Sequence, residues 1–247
     1  MTTGRATSAF PVRYALSVPR PPMDLELAVA ADGSFVADVL TGTTLPQVPP
    51  LRLGSFRGSV EAGSAAALSD YAVRAAGSSQ AGAAAGDGGA QFVGVAGGRL
   101  VPAPDLDAHL VRSLIEASTK AIASPLAAIE VGARAGASGI ELVIRSIGSE
   151  AVAMVLFERN NPDMWARLWR DDPSRPDGRR TIEREALATL AEDGRLTDGV
   201  ITLDPSTEVR VPLPATGSAT GGFVFWRPGT GPERRAFEGA WELAPPA

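Results

Sequence analysis

The chain has 247 residues, 45% of them apolar and 21% charged, which suits one large globular domain or two modest ones and is too apolar for wholesale disorder. Lys plus Arg number 23 against 28 for Asp plus Glu, and a net charge of -5 argues against a general nucleic-acid binder, which needs a positive surplus to displace phosphate counterions. With no cysteine and one histidine, His109, the composition excludes disulfides, thiolate chemistry, Cys-based zinc sites and multi-His cages within one chain.

In chain order, the N-terminal stretch MTTGRATSAFPVRYALSVPRPP breaks every apolar run with arginine or proline, so it does not read as a secretory signal. No apolar run is long enough to span a membrane as a helix, and a cytoplasmic location is expected. Lys120 is the one lysine; with the many alanines and glycines this reflects a GC-rich coding sequence more than a function. Residues 25–29 and 35–40 are β-leaning runs joined through Asp32-Gly33, a hairpin signal because glycine takes the positive φ that a tight turn requires. Residues 51–60 predict a third strand. Residues 64–76 predict an alanine-rich helix with Ser64 as cap and Gly77 as stop.

Residues 77–90, GSSQAGAAAGDGGA, are the clearest low-complexity tract, and their small side chains predict a flexible linker. A short hairpin follows around Gly97-Gly98. The helix from Pro104-Asp105 to about Ala123 has the best periodicity in the chain, with Leu106, Leu110, Leu114, Ala117 and Ala121 on one stripe, Asp105 as expected cap and Pro125 as stop. From residue 128 the texture turns to β: 128–131, 139–147, 150–157, 200–203, 208–213, 223–226 and 241–243 are short runs punctuated by Gly, Pro, Asp and Ser. Their order resembles an immunoglobulin-like module lacking the Cys–Trp–Cys hallmark, which implies a β-sandwich. The expected fold is therefore mixed and mainly β: an N-terminal α+β region (10–125) followed by an immunoglobulin-like β-sandwich (126–247) with a long insert at 159–198.

Candidate chemistry is sparse. Asp105, Asp107 and His109 form D-x-D-x-H, but at the opening of a helix alternate residues diverge, and acids there serve the positive end of the helix dipole. The one lysine sits mid-helix, so no Walker A loop exists, and no G-x-S-x-G elbow is present. Glu130, Glu141, Glu150 and Glu158 fall on or beside strands, the pattern of a solvated sheet face. Asp171, Asp172 and Asp177 could hold a cation, but Arg170, Arg175, Arg179 and Arg180 interleave with them and point to charge compensation. The Arg179, Arg180 and Arg184 cluster, balanced by Glu183 and Glu185, reads as a solvated helix face. No cofactor or metal site is expected.

The strongest candidate is aromatic. Trp165 and Trp169 are four apart and would share one face of a helical turn, with Arg167 and Arg170 beside them. Trp and Arg are the residues enriched in binding hot spots. The competing reading is that both indoles clamp the insert onto the sandwich, and Trp226 reads as a strand-end core residue. The leading expectation is a non-catalytic protein-binding or assembly module, acting through Trp165, Arg167, Trp169 and Arg170 and through exposed strand edges, with another protein as partner and no role for nucleic acid or membrane. Alternatives are a hydrolase with a carboxylate-based site between the two halves, and a proteinase inhibitor presenting residues 45–51.

Overall fold

A computed structural model describes residues 12–19, 22–43, 50–77, 89–95, 98–136, 139–156, 166–171, 179–181, 195–214, 220–228 and 235–242. The described residues are mainly β, with two helices and large antiparallel sheets. The chain divides into two compact units, Met1–Val39 with Ser55–Pro125, and Leu40–Gly54 with Leu126–Ala247.

The first unit holds β1 (Val12–Pro19), β2 (Pro22–Val29) and β3 (Ser34–Val39), an antiparallel meander in which Tyr14 pairs with Leu27 and Leu27 with Ala37. The expected Asp32-Gly33 turn joins β2 to β3: Gly33 has φ 85, and Asp32 Oδ1 accepts from the backbone N–H and the hydroxyl of Ser34 at 2.9 and 2.7 Å. In the second unit, β4 (Thr41–Thr43) follows, and β5 (Leu51–Ser59) contains the division between the units.

Helix α1 (Ala62–Gly77) starts two residues before the expected Ser64, with the Ala65 N–H donating to Glu61 O at 3.0 Å. Ala65, Leu68 and Ala72 are its buried positions, which leaves Val73 60% exposed. Strands β6 (Ala90–Val95) and β7 (Val101–Pro102) form the expected short hairpin, and β6 pairs with β1. The predicted flexible tract lies, for residues 78–88, outside the described residues.

Helix α2 spans Ala108–Ala121 and buries Leu110, Leu114, Ser118 and Ala121; of the predicted stripe, Ala117 is only half-buried and Leu106 is buried just before the helix begins. Its cap is Asp107, not Asp105: Asp107 Oδ1 accepts from His109 N at 2.9 Å and Leu110 N at 3.0 Å. Asp105 lies two residues before the cap, in the turn where the Leu106 N–H reaches Ala103 O. Both helices belong to this unit. Helix α1 packs on β6 and β1, and Ala121 of α2 closes over Gly58 beside the Phe35 ring.

In the second unit β8 (Pro125–Gly136), β9 (Gly139–Ser146) and β15 (Glu208–Pro214) form an antiparallel run, and the eight-stranded sheet takes β10 (Val152–Val155), β11 (Arg167–Asp171), β12 (Arg179–Thr181), β13 (Arg195–Thr197), β14 (Val200–Leu203), β16 (Thr220–Trp226), β17 (Ala236–Glu242) and β4. The described residues of the stretch 159–198 pair within this sheet. They supply β11, β12 and β13, and β11 lies directly along β16.

Strand β16 is the axis of this sheet. Along one side runs β17, and along the other run β11 and then β10, where Val155 pairs with Trp226. The Ala166 N–H donates to Leu156 O at 2.8 Å. Period-2 alternation gives each sheet one buried face: Ile140, Leu142 and Ile144 with Val209, Val211 and Leu213 in one, and Leu168, Phe223, Phe225 and Phe237 in the other. Leu51 Cδ2 of β5 and Phe223 Cζ both crowd Gly239, each 2.6 Å from where its Cβ would stand.

Candidate functional site

Arg167–Asp171 is strand, which overturns the helical turn expected there; β11 is held by the ladder to β16, and tertiary pairing outweighs a local helical spacing. Trp165 lies outside the described residues. In β11 the period is two, and Arg167 and Trp169 share one side of the sheet while buried Leu168 takes the other. Arg170 stands at the alternate register position, opposite Gly221 on one side and Arg180 on the other. The strand therefore joins Arg167 to Trp169 and separates Arg170 from them by register.

Extending the register across three strands defines a surface. One row reads Trp169, Gly222, Ala240; the next reads Arg167, Val224, Glu238; the third brings Trp226 beside Ala236 and Val155. Trp169 and Trp226 are both half-buried, while Arg167, Glu238 and Ala240 are exposed. Gly222 is required here, because a Cβ would run into Cζ2 and Cε2 of Trp169 and the Gly239 carbonyl: the indole lies over the glycine. At the near end Thr220 Oγ1 donates to Asp171 Oδ2 at 2.8 Å, so the Asp171 carboxylate is engaged by a hydroxyl.

Sequence reasoning missed Trp226. It does end its strand as expected, but it falls on the face opposite Phe223 and Phe225, whose rings stack with centroids 5.1 Å apart in the core. The alternation Phe223, Phe225 against Val224, Trp226 was present in the sequence; what was lacking was the partner strand that shows which side is covered.

The carboxylates on β8, β9 and β15 form a different surface. Arg134 meets Glu141 at 2.8 Å directly across the ladder, Arg52 meets Glu130 at 3.1 Å, and Glu208 accepts from Arg145 at 2.7 Å and Arg210 at 2.8 Å. The Arg145 and Arg210 guanidiniums hold the Glu208 carboxyl below the usual carboxylate range, and Glu208 in turn raises Arg145. Glu130 and Glu141 thus occupy a solvated, charge-alternating face, as expected; Glu150 is exposed in the turn before β10 and Glu158 lies outside the described residues. Asp172, Asp177, Arg175, Glu183, Arg184 and Glu185, and residues 45–49 of the expected inhibitory loop, also lie outside them.

In the first unit His109 is exposed and its backbone N–H is capped by Asp107. The Tyr14 hydroxyl, buried under the sheet and 3.3 Å from Gln91 Oε1, is pushed up to about 12 by loss of solvent. Among the described residues no three acids or histidines gather as metal ligands, and no helix is long and apolar enough to cross a membrane. No family model, curated protein or solved structure matches this chain.

Proposed function

We propose that the chain is a cytoplasmic, non-catalytic protein-binding or assembly module, and that the second unit, a sandwich of immunoglobulin-like class, binds its partner through the outer face of β11, β16 and β17. One observation carries this reading: two indoles from different strands, with Val224 between them and exposed Arg167 alongside, lie on the side of the sheet opposite the buried Phe223 and Phe225. Trp and Arg contribute most to binding when a partner desolvates them. A half-buried Trp also arrives with few rotamers left to lose.

Support for an edge-on mode is weaker at β15. Pro212 pairs with Glu141 inside the ladder; having no N–H, it fits only where that side of the strand faces away from β9, and Pro214 shares its parity. Two prolines on an edge remove donors a docking strand would need. The binding surface is therefore assigned to the face of the neighbouring sheet, with Arg167, Trp169, Val224 and Trp226 as its contacts.

Affinity capture with wild-type protein, Arg167→Glu and Trp226→Ala tests the reading. Both variants should keep the wild-type circular dichroism spectrum and lose the captured protein, with binding of that purified protein weakened at least about 30-fold by the Trp226 change, the scale of a hot-spot truncation. Undiminished binding by both folded variants would refute it.

A further inference from the structure

The exposed face has a pattern that a foreign partner does not require. In the row Arg167, Val224, Glu238, a cation and an anion sit at equal distances on either side of a small apolar residue. They are two strand spacings apart, about 10 Å between Cα atoms. Both are exposed, and among the described residues neither side chain has an ion-pair partner. Elsewhere in the same unit, cross-strand charges of opposite sign pair directly, as Arg134 does with Glu141. The adjacent row is graded in size in the same sense, with bulky Trp169 at one end, Gly222 in the middle and small Ala240 at the other.

We infer that this face is closed by a second copy of the same chain, related by a two-fold axis parallel to β16 and lying between the two facing sheets. The inference rests on the binding face proposed above and names its occupant. Such an axis exchanges left and right across β16 and leaves position along the strand unchanged. Arg167 of each copy then stands opposite Glu238 of the other, and the contact forms twice, as an isologous interface demands. Trp169 of each copy comes over Ala240 of the other, large against small, while Val224 and Trp226 meet their own equivalents near the axis. Two residues of one sign at these positions would repel their own image under this operation. The strip is only three strands wide, so the dimer is a weak one that forms as concentration rises.

Charge reversal distinguishes this from any other occupant. Sedimentation equilibrium of the whole chain should show monomer and dimer in exchange in the micromolar range. Arg167→Glu and Glu238→Arg, each checked for an unchanged melting temperature, should each weaken dimerisation at least about tenfold by facing like charges across the axis. The double variant, with the charges exchanged, should return to within about threefold of wild type, because the two-fold operation restores both pairs. A wild-type chain that stays monomeric at the highest attainable concentration overturns the inference, as does a double variant no better than either single one. If the monomeric chain still captures a different protein in a Trp226-dependent way, self-association fails and the binding face stands. If the chain dimerises but Trp226→Ala and the charge reversals leave the dimer unchanged, the inference fails, and the binding face then stands or falls by the capture experiment alone.

Discussion

The two sheets of the second unit present solvent-side faces of opposite character, although the same alternation of buried and outward residues builds both. On β8, β9 and β15 six of the outward positions are charged, beside Gly132, Val143 and Pro212, and each acid has an arginine across the ladder or on the next strand, as Glu141 has Arg134 and Glu208 has Arg145. On β11, β16 and β17 the outward positions are Trp169, Gly222, Val224, Trp226 and Ala240, with Arg167 and Glu238 separated by a strand. One face satisfies its charges internally and offers little to a partner, and exposed ion pairs of this kind add little to stability. The other carries half-buried Trp169, Val224 and Trp226 with exposed Arg167 and Glu238 on either side of β16. That difference, more than the fold, locates the candidate function.

The largest expected effect comes from crossing to the buried side. Phe225→Ala should cost about 3–5 kcal/mol in denaturant unfolding, since the ring is fully buried against Phe223 and its removal leaves a cavity. A loss below about 1 kcal/mol would mean that the aromatic side of this sheet is not the core, and the contrast of its two faces would collapse.

A smaller effect of opposite sign belongs to β9. The Ser146 hydroxyl is buried without a hydrogen-bond partner, at the point where its backbone N–H donates to Thr207 O. Ser146→Ala should raise stability by up to about 1 kcal/mol, because the desolvated hydroxyl is removed with little change in volume. Loss of stability would show that the hydroxyl makes a bond the description lacks.

The smallest is electrostatic and sharpens the picture of the paired face. Glu208 is held low by Arg145 first and Arg210 second, so its contribution to stability is present above the ordinary carboxylate pKa and is lost as pH falls through the depressed one. Titration followed by carboxyl NMR should place Glu208 below an unperturbed glutamate, and Arg145→Ala should move it upward. A Glu208 that titrates normally in the wild type would mean the pair does not persist in solution.

Much of the fold was legible in the sequence, wherever local chemistry decides structure. The Asp32-Gly33 turn, the α2 stripe of Leu110, Leu114 and Ala121, and the strands at 139–147 and 208–213 follow from positive-φ residues and from periods of 3.6 and 2. The hairpin of β13 and β14 is equally readable, since Asp198 and Gly199 take φ 50 and 80 in a two-residue turn. What could not be read locally was register. Trp165 and Trp169 invite a helical turn by spacing alone, and only pairing with β16 reveals that Trp169 belongs with Gly222 and, across the sheet, with Trp226. Burial behaved similarly: Val73 fits a helical stripe yet is exposed, because Leu68 and Ala72 already define the packed side of α1.

Phe225 and Trp226 are neighbours on one strand, and substituting each in turn tests the central claim most directly. Thermal unfolding and partner binding should be measured together on Phe225→Ala and Trp226→Ala. The account predicts that the phenylalanine change lowers the melting temperature sharply, while the tryptophan change leaves it nearly unmoved and removes association. A Trp226→Ala protein that unfolds as readily as Phe225→Ala, or that folds and associates like wild type, would contradict it.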